Sequence, residues 1–426
     1  MKQEDLEVAM KARLLQDIYS WLWDGKLPLE PYPASLRIMN VIRFLETNQI
    51  SEVDKSAIQT FILAELNYLS QNLEYHLLAN HLLENAFALW MGALYFKDAG
   101  WKKMGEKLLK EELEKQILPD GAHFELAPMY HQIILFRVLE SFHLTSEQFP
   151  VKILLNEKAK LMLGWLKQMT FEDGSLPHFN DTTEGIAQSA NELLSIGELL
   201  GIKAKKIKLK ESGYRIFQIQ NLRLIADVEG IKPSYQPGHA HADTFSFVLH
   251  EGMIPLIVDP GLSTYNISGR RDWERSTRAH NTLTIDEKNS SEVWAGFRVG
   301  RRAKVEIRED SEFQVEGIHD GFFPALHSRT FQIENSGISV IDEVSGEISP
   351  ESQKVIRFYL HPTVQPERIN TNSVRLTSSS HIQFSGADTI EFSSYDYCQG
   401  FNHLEKAQVI EVRLKEKSIK SLFINK

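Results

Sequence analysis

The densest group of chemically capable side chains follows a Pro-Gly pair at 237–238 and comprises His239, His241 and Asp243. The alternating pattern predicts a β-strand, on which every second residue projects to the same face. That face would carry two imidazoles and a carboxylate and would continue into two phenylalanines of the core. A solvated strand end could have the same pattern, but this group of side chains favours proton transfer or metal binding.

Two later segments supply groups of the same kind. Asp259 closes the apolar run 256–258, and His280 stands just before another apolar segment. Both can converge with His241 on one sheet face, and two imidazoles with one carboxylate suit Zn²⁺. The alternative is that Asp259 caps a turn before Pro-Gly and that His280 is a core histidine.

Further candidates lie in the first half of the chain, where the apolar spacing is helical. Asn80, His81 and Glu84 share one helix face, since residues three and four positions apart are neighbours on a helix. Glu125 and Tyr130 follow a Pro-Asp-Gly turn and stand at the start of another helix. A buried polar network and a core aromatic are the alternative interpretations.

The charge of the chain is unevenly distributed. It has 47 Lys and Arg against 57 Asp and Glu, a net charge of −10, which argues against a general nucleic-acid binder because neutralising phosphates needs surplus cations. Eight cations nevertheless lie close together after residue 269: Arg270, Arg271, Arg275, Arg278, Arg298, Arg301, Arg302 and Lys304. They are a candidate site for an anionic ligand, with a solvated strand pair as the alternative.

The apolar periodicity changes once along the chain. Up to about residue 200, spacings of three and four predict amphipathic helices, for example over 102–118 and 156–169, which short turns would pair into a bundle or a toroid. After the basic connector 201–212 the period falls to two, which predicts antiparallel β-strands and a sandwich.

These strands are expected at segments that favour β-branched and aromatic residues: 214–220, 244–249, 304–307, 313–316, 355–360 and 409–414. We therefore predict an α+β multidomain protein with a helical domain over 1–205 and a β-sandwich domain over 213–426.

The chain shows no sign of secretion or membrane insertion. Cys398 is the only cysteine, so we expect a buried, inert thiol and no intrachain disulfide. Four acidic residues interrupt the first 19 positions, and no apolar run reaches the roughly 20 residues that a membrane helix needs. The expectation is a protein without a membrane span, cytoplasmic as written and periplasmic if its N-terminus has been trimmed.

Taken together, the motifs resemble those of the heparinase II/III-like polysaccharide lyases, a group that includes alginate and oligoalginate lyases. The resemblance runs from about Pro31 onward. It rests on Asn80-His-x-x-Glu84, Asp120-Gly-x-x-x-Glu125-x-x-x-x-Tyr130-His131, Gly174-x-x-Pro177-x-x-Asn180-Asp181, Gly238-His-x-His-x-Asp243, Val258-Asp-Pro-Gly261 and Arg275-Ser-Thr-x-Ala-His-Asn281. It implies an N-terminal (α/α) toroid followed by an antiparallel β-sandwich, in agreement with the periodicity.

The resemblance also implies residue roles. Tyr130 and His239 match the catalytic tyrosine and histidine, and Asn80 or His81 matches the residues that contact the uronate carboxylate. Substrate contacts are expected from Glu84, Glu125, Arg270, Arg271, Arg275 and Arg278. The zinc ligands found in part of the family correspond to His241, Asp259 and His280, which implies one structural zinc ion.

The implied chemistry is β-elimination from a 4-linked uronic acid, in which the C5 proton is removed, the bond to O4 breaks and a C4=C5 double bond forms. Hydrogen-bond donors on the carboxylate stabilise the developing enolate by about 3–4 kcal/mol each. We assign His239 as base and Tyr130 as acid, because the ordinary pKa of histidine suits a base and that of tyrosine suits an acid. A swapped or tyrosine-only scheme is the alternative.

The expected partner is an anionic polysaccharide or oligosaccharide, such as a glycosaminoglycan, alginate or an exopolysaccharide. An (α/α) glycoside hydrolase is an alternative function and would use two carboxylates, Glu125 with Asp173 or Asp181. A non-catalytic glycan-binding protein or a remodelling enzyme of a capsule pathway are others. The sequence leaves open which uronan is bound, whether attack is endo or exo, and the oligomeric state, for which a dimer is one candidate.

Overall fold

The structure is a computed structural model that describes residues 3–425. The chain divides into two compact units. The first contains the residues up to Ile117 and the segment Arg137–Ala159, and the second contains Leu118–Phe136 and the chain from Lys160 onward. These two units are defined by which residues pack together. The predicted domains 1–205 and 213–426 are instead defined by the change from helices to strands.

Helices dominate the first half of the described chain, as the periodicity predicted. Two of them coincide with the predicted helical segments 102–118 and 156–169. The helices before the first strand are α1 Gln3–Trp23, α2 Pro31–Thr47, α3 Glu52–Gln71, α4 Ala79–Phe96, α5 Ala99–Gln116, α6 Pro128–Leu144, α7 Val151–Met169 and α8 Ala190–Leu199.

Helix α4 lies in the interior of the first unit, because its sequence is apolar on nearly all sides. The polar side chains that it buries have partners. Asn85 accepts a hydrogen bond from the Glu74 backbone N–H at 3.0 Å and donates to Ser35 Oγ at 3.0 Å and to Glu74 Oε2 at 2.9 Å. These bonds tie α4 to α2 and to the loop that precedes it.

The strands lie in the second unit. Their bounds are β1 Tyr214–Ile219, β2 Leu222–Asp227, β3 Phe247–Glu251, β4 Ile254–Ile257, β5 Leu283–Ile285, β6 Val293–Trp294, β7 Arg298–Val299, β8 Val305–Asp310, β9 Gln314–His319, β10 Ala325–Glu334, β11 Gly337–Gly346, β12 Lys354–Tyr359, β13 Glu367–Asn370, β14 Ser373–Arg375, β15 Ser380–Ser385, β16 Ala387–Gly400, β17 His403–Leu414 and β18 Ser418–Asn425. A short helix, α9 Gly269–Glu274, lies between β4 and β5.

These strands form three larger sheets and one hairpin. The sheets have the strand orders β1-β2-β3-β4, β13-β14-β15-β18-β11-β10-β9-β8 and β16-β17-β12-β5, and the hairpin is β6-β7. Every pairing between these strands is antiparallel, as predicted.

The three sheets share one aromatic core. Phe247 of β3 lies 5.9 Å from Phe331 of β10, 6.1 Å from Phe358 of β12 and 5.7 Å from Phe423 of β18, measured between ring centroids. All four rings are fully buried. Burial of each such ring stabilises the fold by roughly 1.5–3 kcal/mol. Packing of these four rings therefore holds the three sheets together.

Helix α7 packs on the first of these sheets through its C-terminal half. Trp165 and Met169 join a buried cluster with Tyr214 of β1, Ile225 of β2 and Val248 of β3. This packing fixes the point at which the chain leaves α7. The loop that follows therefore runs along the sheet in a defined path.

A buried ion pair ties the eight-stranded sheet to the loops beside β3 and β5. Arg329 of β10 donates to both carboxylate oxygens of Asp342 on β11, at 2.7 and 2.9 Å. Its remaining nitrogen donates to the carbonyl oxygens of Phe245 and Asn281, at 2.7 and 2.6 Å. His327 lies 2.6 Å from the same carboxylate.

The Asp342 carboxylate is ionised in this setting. Burial raises its pKa, but the Arg329 charge and the hydrogen bond with His327 outweigh burial and hold the pKa below its ordinary value. Because folding lowers this pKa, Asp342 stabilises the fold fully above its unfolded pKa of about 4 and loses that contribution as pH falls through the folded pKa.

We expect Asp342→Asn to lower the free energy of unfolding by about 3–5 kcal/mol at neutral pH, because Arg329 is left buried without its counter-charge. Below about pH 4 the variant should lose less further stability than the unmodified chain. Urea unfolding at neutral and acidic pH measures both effects. Asp388→Asn, at an exposed carboxylate, should change stability by less than about 0.5 kcal/mol. Parallel pH dependence in Asp342→Asn and the unmodified chain would contradict this account.

Candidate active site

The segment between residues 237 and 246 is not the strand that its alternation predicted. Pro237–His239 form a short 3₁₀ helix, and β3 begins only at Phe247. The reason is that its backbone groups pair with a loop rather than with a strand. Arg275 Nη2 donates to the Ala240 carbonyl at 2.9 Å, and the Ala242 N–H donates to the Arg275 carbonyl at 2.9 Å. The expectation that alternate residues face one way here is therefore wrong.

The histidines of this segment meet instead on a buried carboxylate, Asp181. His239 Nδ1 lies 2.8 Å from Asp181 Oδ2, and His241 Nε2 lies 2.8 Å from Asp181 Oδ1. The fully buried Arg271 guanidinium donates to both oxygens, with Nη2 at 2.8 Å from Oδ2. One carboxylate therefore orients two imidazoles and balances one guanidinium.

This arrangement sets three pKa values. Burial raises the Asp181 pKa, but the Arg271 charge and the two imidazole hydrogen bonds hold it well below its usual range. Burial also lowers the His239 pKa, yet the Asp181 hydrogen bond and the charges of Glu125 and Asp181 raise it above the ordinary value. For His241 burial dominates and lowers the pKa to about 4, so this imidazole is neutral at pH 7.

Tyr130 lies in the first turn of α6, against the same histidine. Its ring centroid is 4.1 Å from that of His239, and its Oη is 3.1 Å from Tyr265 Oη. Leu126, just before α6, anchors this turn, because its carbonyl accepts from Tyr214 Oη at 2.6 Å and from Asn180 Nδ2 at 3.0 Å. The second unit thus brings the predicted catalytic tyrosine and histidine into direct contact.

Glu125 is the other predicted residue on this loop. It is buried, and its Oε2 lies 3.8 Å from His123 Nδ1. Its negative charge contributes to the raised pKa of His239. The charge of Glu125 therefore influences His239, and the expected contact of Glu125 with substrate stays a prediction.

Two of the four arginines expected to contact substrate lie in the interior. Arg271 is held by Asp181 as described, and Arg275 is buried and donates to the backbone carbonyls of Ala240 and Arg298. Their expected role as cations facing an anionic chain is corrected to one of positioning, because buried guanidiniums satisfy internal acceptors.

The other two of these arginines reach solvent. Arg270 is half-buried and donates to Glu274 Oε1 at 2.7 Å and to the Asp396 carbonyl at 2.9 Å. Arg278 is about half exposed, and its Nε lies 3.5 Å from Glu287 Oε2. Substrate contact by Arg270 and Arg278 stays a prediction.

Asn80, His81 and Glu84 lie on α4 in the first unit. His81 Nδ1 is 3.1 Å from Glu74 Oε1, and Asn80 is buried. Glu84 is fully buried and accepts from Arg137 Nε at 3.0 and 3.2 Å. Glu84 is thus an internal partner of Arg137 rather than the expected substrate contact. The roles of Asn80 and His81 stay predictions.

The predicted metal ligands lie near one another in the second unit. His280 Nδ1 is 2.7 Å from Asp259 Oδ2, and the His241 and His280 ring centroids are 5.3 Å apart. His241 Nδ1, His280 Nε2 and both oxygens of Asp243 are buried without hydrogen-bond partners. Donor types and unpartnered nitrogens fit zinc. Within residues 3–425, however, no group of three or more His, Cys, Asp or Glu side chains is arranged to hold a metal ion.

Two residues of the candidate site, Asp181 and Tyr265, were not predicted as site residues from the sequence. From the sequence, Asp181 is named only as part of a family motif and as a possible hydrolase carboxylate. Its position directly after Gly174-x-x-Pro177-x-x-Asn180 is the sequence feature that could have identified it as a site residue. Tyr265 had no signal, since only folding brings its hydroxyl to Tyr130. Both residues are identified by their contacts in the structure, Asp181 with the two histidines and Tyr265 with Tyr130.

This geometry does not favour Asp181 as the acid of the glycoside hydrolase alternative. The Asp181 carboxylate is fully occupied by Arg271 and two imidazoles, and its pKa is well below the usual range. A hydrolase needs a carboxylic acid that is protonated when it meets the glycosidic oxygen. Asp181 cannot supply that proton.

Comparison with known proteins defines the family. Residues 33–197 match the model of the heparinase II/III N-terminus, and residues 202–422 match the heparinase II/III-like C-terminal model. The chain therefore belongs to the heparinase II/III family.

Two curated relatives carry the name heparin-sulfate lyase. The protein of Pedobacter heparinus is 27% identical over 243 residues, which cover 49% of this chain and 36% of the relative. The protein of Bacteroides stercoris is 23% identical over 316 residues, which cover 63% of this chain and 44% of the relative. The chain thus spans less than half the length of either relative.

A solved structure of a heparinase III has a similar fold. The two superpose with a TM-score of 0.78 at 17% identity, over 97% of this chain and 73% of that one. The predicted fold class, an (α/α) toroid region followed by an antiparallel β-sandwich region, is confirmed. Among the helices of residues 3–425, none combines the length and apolar character that crossing a bilayer requires.

The Asp181–Arg271 pair should behave as one energetic unit. We expect Asp181→Asn and Arg271→Gln each to lower the free energy of unfolding by about 3–5 kcal/mol, since each leaves a buried partner unpaired. The double variant should cost clearly less than the sum of the two, which denaturant unfolding of all four proteins measures. Additive losses would mean that the two side chains do not depend on each other.

Proposed function

We propose that the chain is a polysaccharide lyase that cleaves an anionic, uronate-containing chain by β-elimination and leaves a C4=C5 unsaturated uronate. The observation that carries this proposal is the contact between Tyr130 and His239, with His239 held by the buried Asp181. A tyrosine and an oriented histidine side by side can serve as an acid and a base. Elimination needs such a pair, because one group must take up the C5 proton and the other must protonate the leaving O4.

The histidine is the base in this proposal. Asp181 accepts a hydrogen bond from Nδ1, which fixes the tautomer and leaves Nε2 as the proton acceptor. The field of Asp181 and Glu125 raises the His239 pKa, and so stabilises the imidazolium that forms when the C5 proton is taken up. Asp181 also keeps the ring fixed during the transfer.

Tyr130 is the acid. Its hydroxyl lies 3.1 Å from that of Tyr265, whose own pKa is raised by burial and by the negative charge of Asp181. Tyr265 therefore stays a neutral hydroxyl that can donate to the Tyr130 oxygen. Such a donor stabilises the phenolate that remains once Tyr130 has protonated the leaving O4. The neighbouring hydroxyl thus assists the departure of the sugar.

The proposed substrate class is a glycosaminoglycan of the heparan sulfate type. Support comes from the names of the two curated relatives, heparin-sulfate lyase in both cases. Incubation of the purified protein with heparan sulfate, hyaluronan, alginate and bacterial exopolysaccharides tests it, with near-ultraviolet absorbance of the unsaturated uronate as readout. No absorbance increase with any uronan would overturn the proposed function.

We expect Tyr130→Phe and His239→Ala each to lower kcat by about 10²- to 10⁴-fold on the substrate that the screen identifies, because each removes one proton-transfer group. Absorbance assays give the rates, and thermal melting checks that the fold is kept. Tyr75→Phe and His403→Ala change exposed residues of the same types and should leave the rate unchanged. Wild-type turnover in Tyr130→Phe or His239→Ala would disprove that role.

We also propose that His241, Asp259 and His280 bind one zinc ion with a structural role. The support is chemical: two imidazoles and a carboxylate suit zinc, and a buried nitrogen of His241 and of His280 has no hydrogen-bond partner. Bound zinc would hold the loops after β4 and before β5 beside the His239 segment. No proton transfer depends on it.

The zinc proposal has a direct test. Protein purified without chelator should contain about one zinc per chain by elemental analysis, and chelation should lower its melting temperature because a ligand of the native state stabilises it. His280→Ala should abolish both the zinc content and the effect of chelator. Zinc-free protein, or equal melting with and without chelator, would count against the site.

A further inference from the structure

The β6–β7 hairpin exposes two aromatic side chains to solvent. Trp294 is 49% exposed and Phe297 is 42% exposed, and both lie at the tip of the hairpin. Exposed aromatic side chains placed together on a rigid element commonly mark a surface that binds a ligand. The hairpin itself is short, so its rigidity must come from elsewhere.

Buried arginines supply that rigidity. Arg271 donates to the Gly296 carbonyl through Nε at 3.0 Å and through Nη2 at 2.8 Å. Arg275 donates to the Arg298 carbonyl at 3.2 Å. Three hydrogen bonds from charged, buried donors therefore fix the backbone of the tip and of β7.

The register of the hairpin pairs an aromatic ring with a cation. Trp294 lies directly opposite Arg298, and residues opposite each other in an antiparallel pair project to the same face. Arg298 is exposed, and none of the ion pairs among residues 3–425 includes it. One face of the hairpin therefore offers a flat indole beside a guanidinium.

The hairpin borders the proposed catalytic pair. The Phe297 ring centroid lies 5.9 Å from that of His239 and 5.4 Å from that of Tyr265. The Arg271 guanidinium, which holds Asp181, lies 5.3 Å from the Phe297 ring. Phe297 thus anchors the tip to the site, and the exposed Trp294 and Arg298 belong to the same hairpin.

We propose that Trp294 and Arg298 form a sugar subsite, in which the indole stacks on a pyranose ring next to the cleaved residue and the guanidinium pairs with its carboxylate or sulfate. The inference rests on the proposed function. A pyranose presents C–H groups on its face, which pack on an aromatic ring, and anionic groups at its edge. The subsite matches this combination, and bidentate pairing by arginine fixes the orientation of the sugar.

The experiment uses the full chain and a heparan sulfate tetrasaccharide, with binding measured by calorimetry and turnover by absorbance. We expect Trp294→Ala and Arg298→Gln each to raise KM and Kd about five- to tenfold, with kcat changed less than twofold. Trp294→Phe should restore most of the affinity. Phe313→Ala, which removes an exposed aromatic in the turn between β8 and β9, is the matched control and should change nothing.

Two further readouts separate stacking from charge pairing. Arg298→Gln should flatten the salt dependence of Kd, since exposed charges are screened over about 8 Å at physiological salt. A tetrasaccharide with carboxyl groups reduced to alcohols and sulfates removed should bind the unmodified chain and Arg298→Gln equally. It should still bind Trp294→Ala more weakly than the unmodified chain.

The outcomes distinguish this proposal from the proposed function. Turnover with unchanged KM and Kd in both variants would overturn the subsite and leave the lyase activity standing. Weakened binding in both variants without any turnover by the unmodified chain would support the subsite and overturn heparan sulfate as the substrate of the proposed lyase. A chain that neither binds nor cleaves the tetrasaccharide would overturn the subsite as a heparan sulfate site.

Discussion

The Asp181 carboxylate is the interaction on which the rest of the site depends. It is fully buried, and it holds His239, His241 and Arg271 at once. A buried charge of this kind is stable only with its partners. The loop that carries Asp181 and the segment that carries both histidines therefore stabilise each other's conformation. The same contacts fix the tautomer and ring orientation of His239. Stability and chemical competence are therefore set by one group.

Arg271 extends this constraint outward. Its guanidinium balances Asp181, donates to Gly296 at the tip of the β6–β7 hairpin, and lies against the Tyr265 and Phe297 rings. A displacement of the hairpin would therefore also disturb the Arg271–Asp181 contact, and Asp181 is the carboxylate that orients His239. The hairpin backbone at Gly296 is therefore held by the same guanidinium that holds Asp181.

A second buried ion pair also holds loop segments beside the site. Arg329 and Asp342 belong to neighbouring strands, and Arg329 also binds the carbonyls of Phe245 and Asn281. Asn281 in turn donates to the carbonyls of Phe247 and Val258, at 2.8 Å each. Buried side chains thus supply several of the hydrogen bonds that a strand ladder would supply in a regular sheet.

The sequence by itself determined the helical and β halves and the antiparallel pairing, because apolar periodicity is a local property of the chain. Its motifs, through the family resemblance, also predicted Tyr130 and His239 as catalytic residues. It also predicted Cys398 correctly as a buried thiol, whose pKa burial raises to about 11. Only the tertiary structure decided that residues 239–245 are irregular, that Arg271 and Glu84 face inward, and that Asp181 joins the two histidines. These features arise from contacts between residues tens of positions apart, where burial and hydrogen-bond satisfaction override the local pattern.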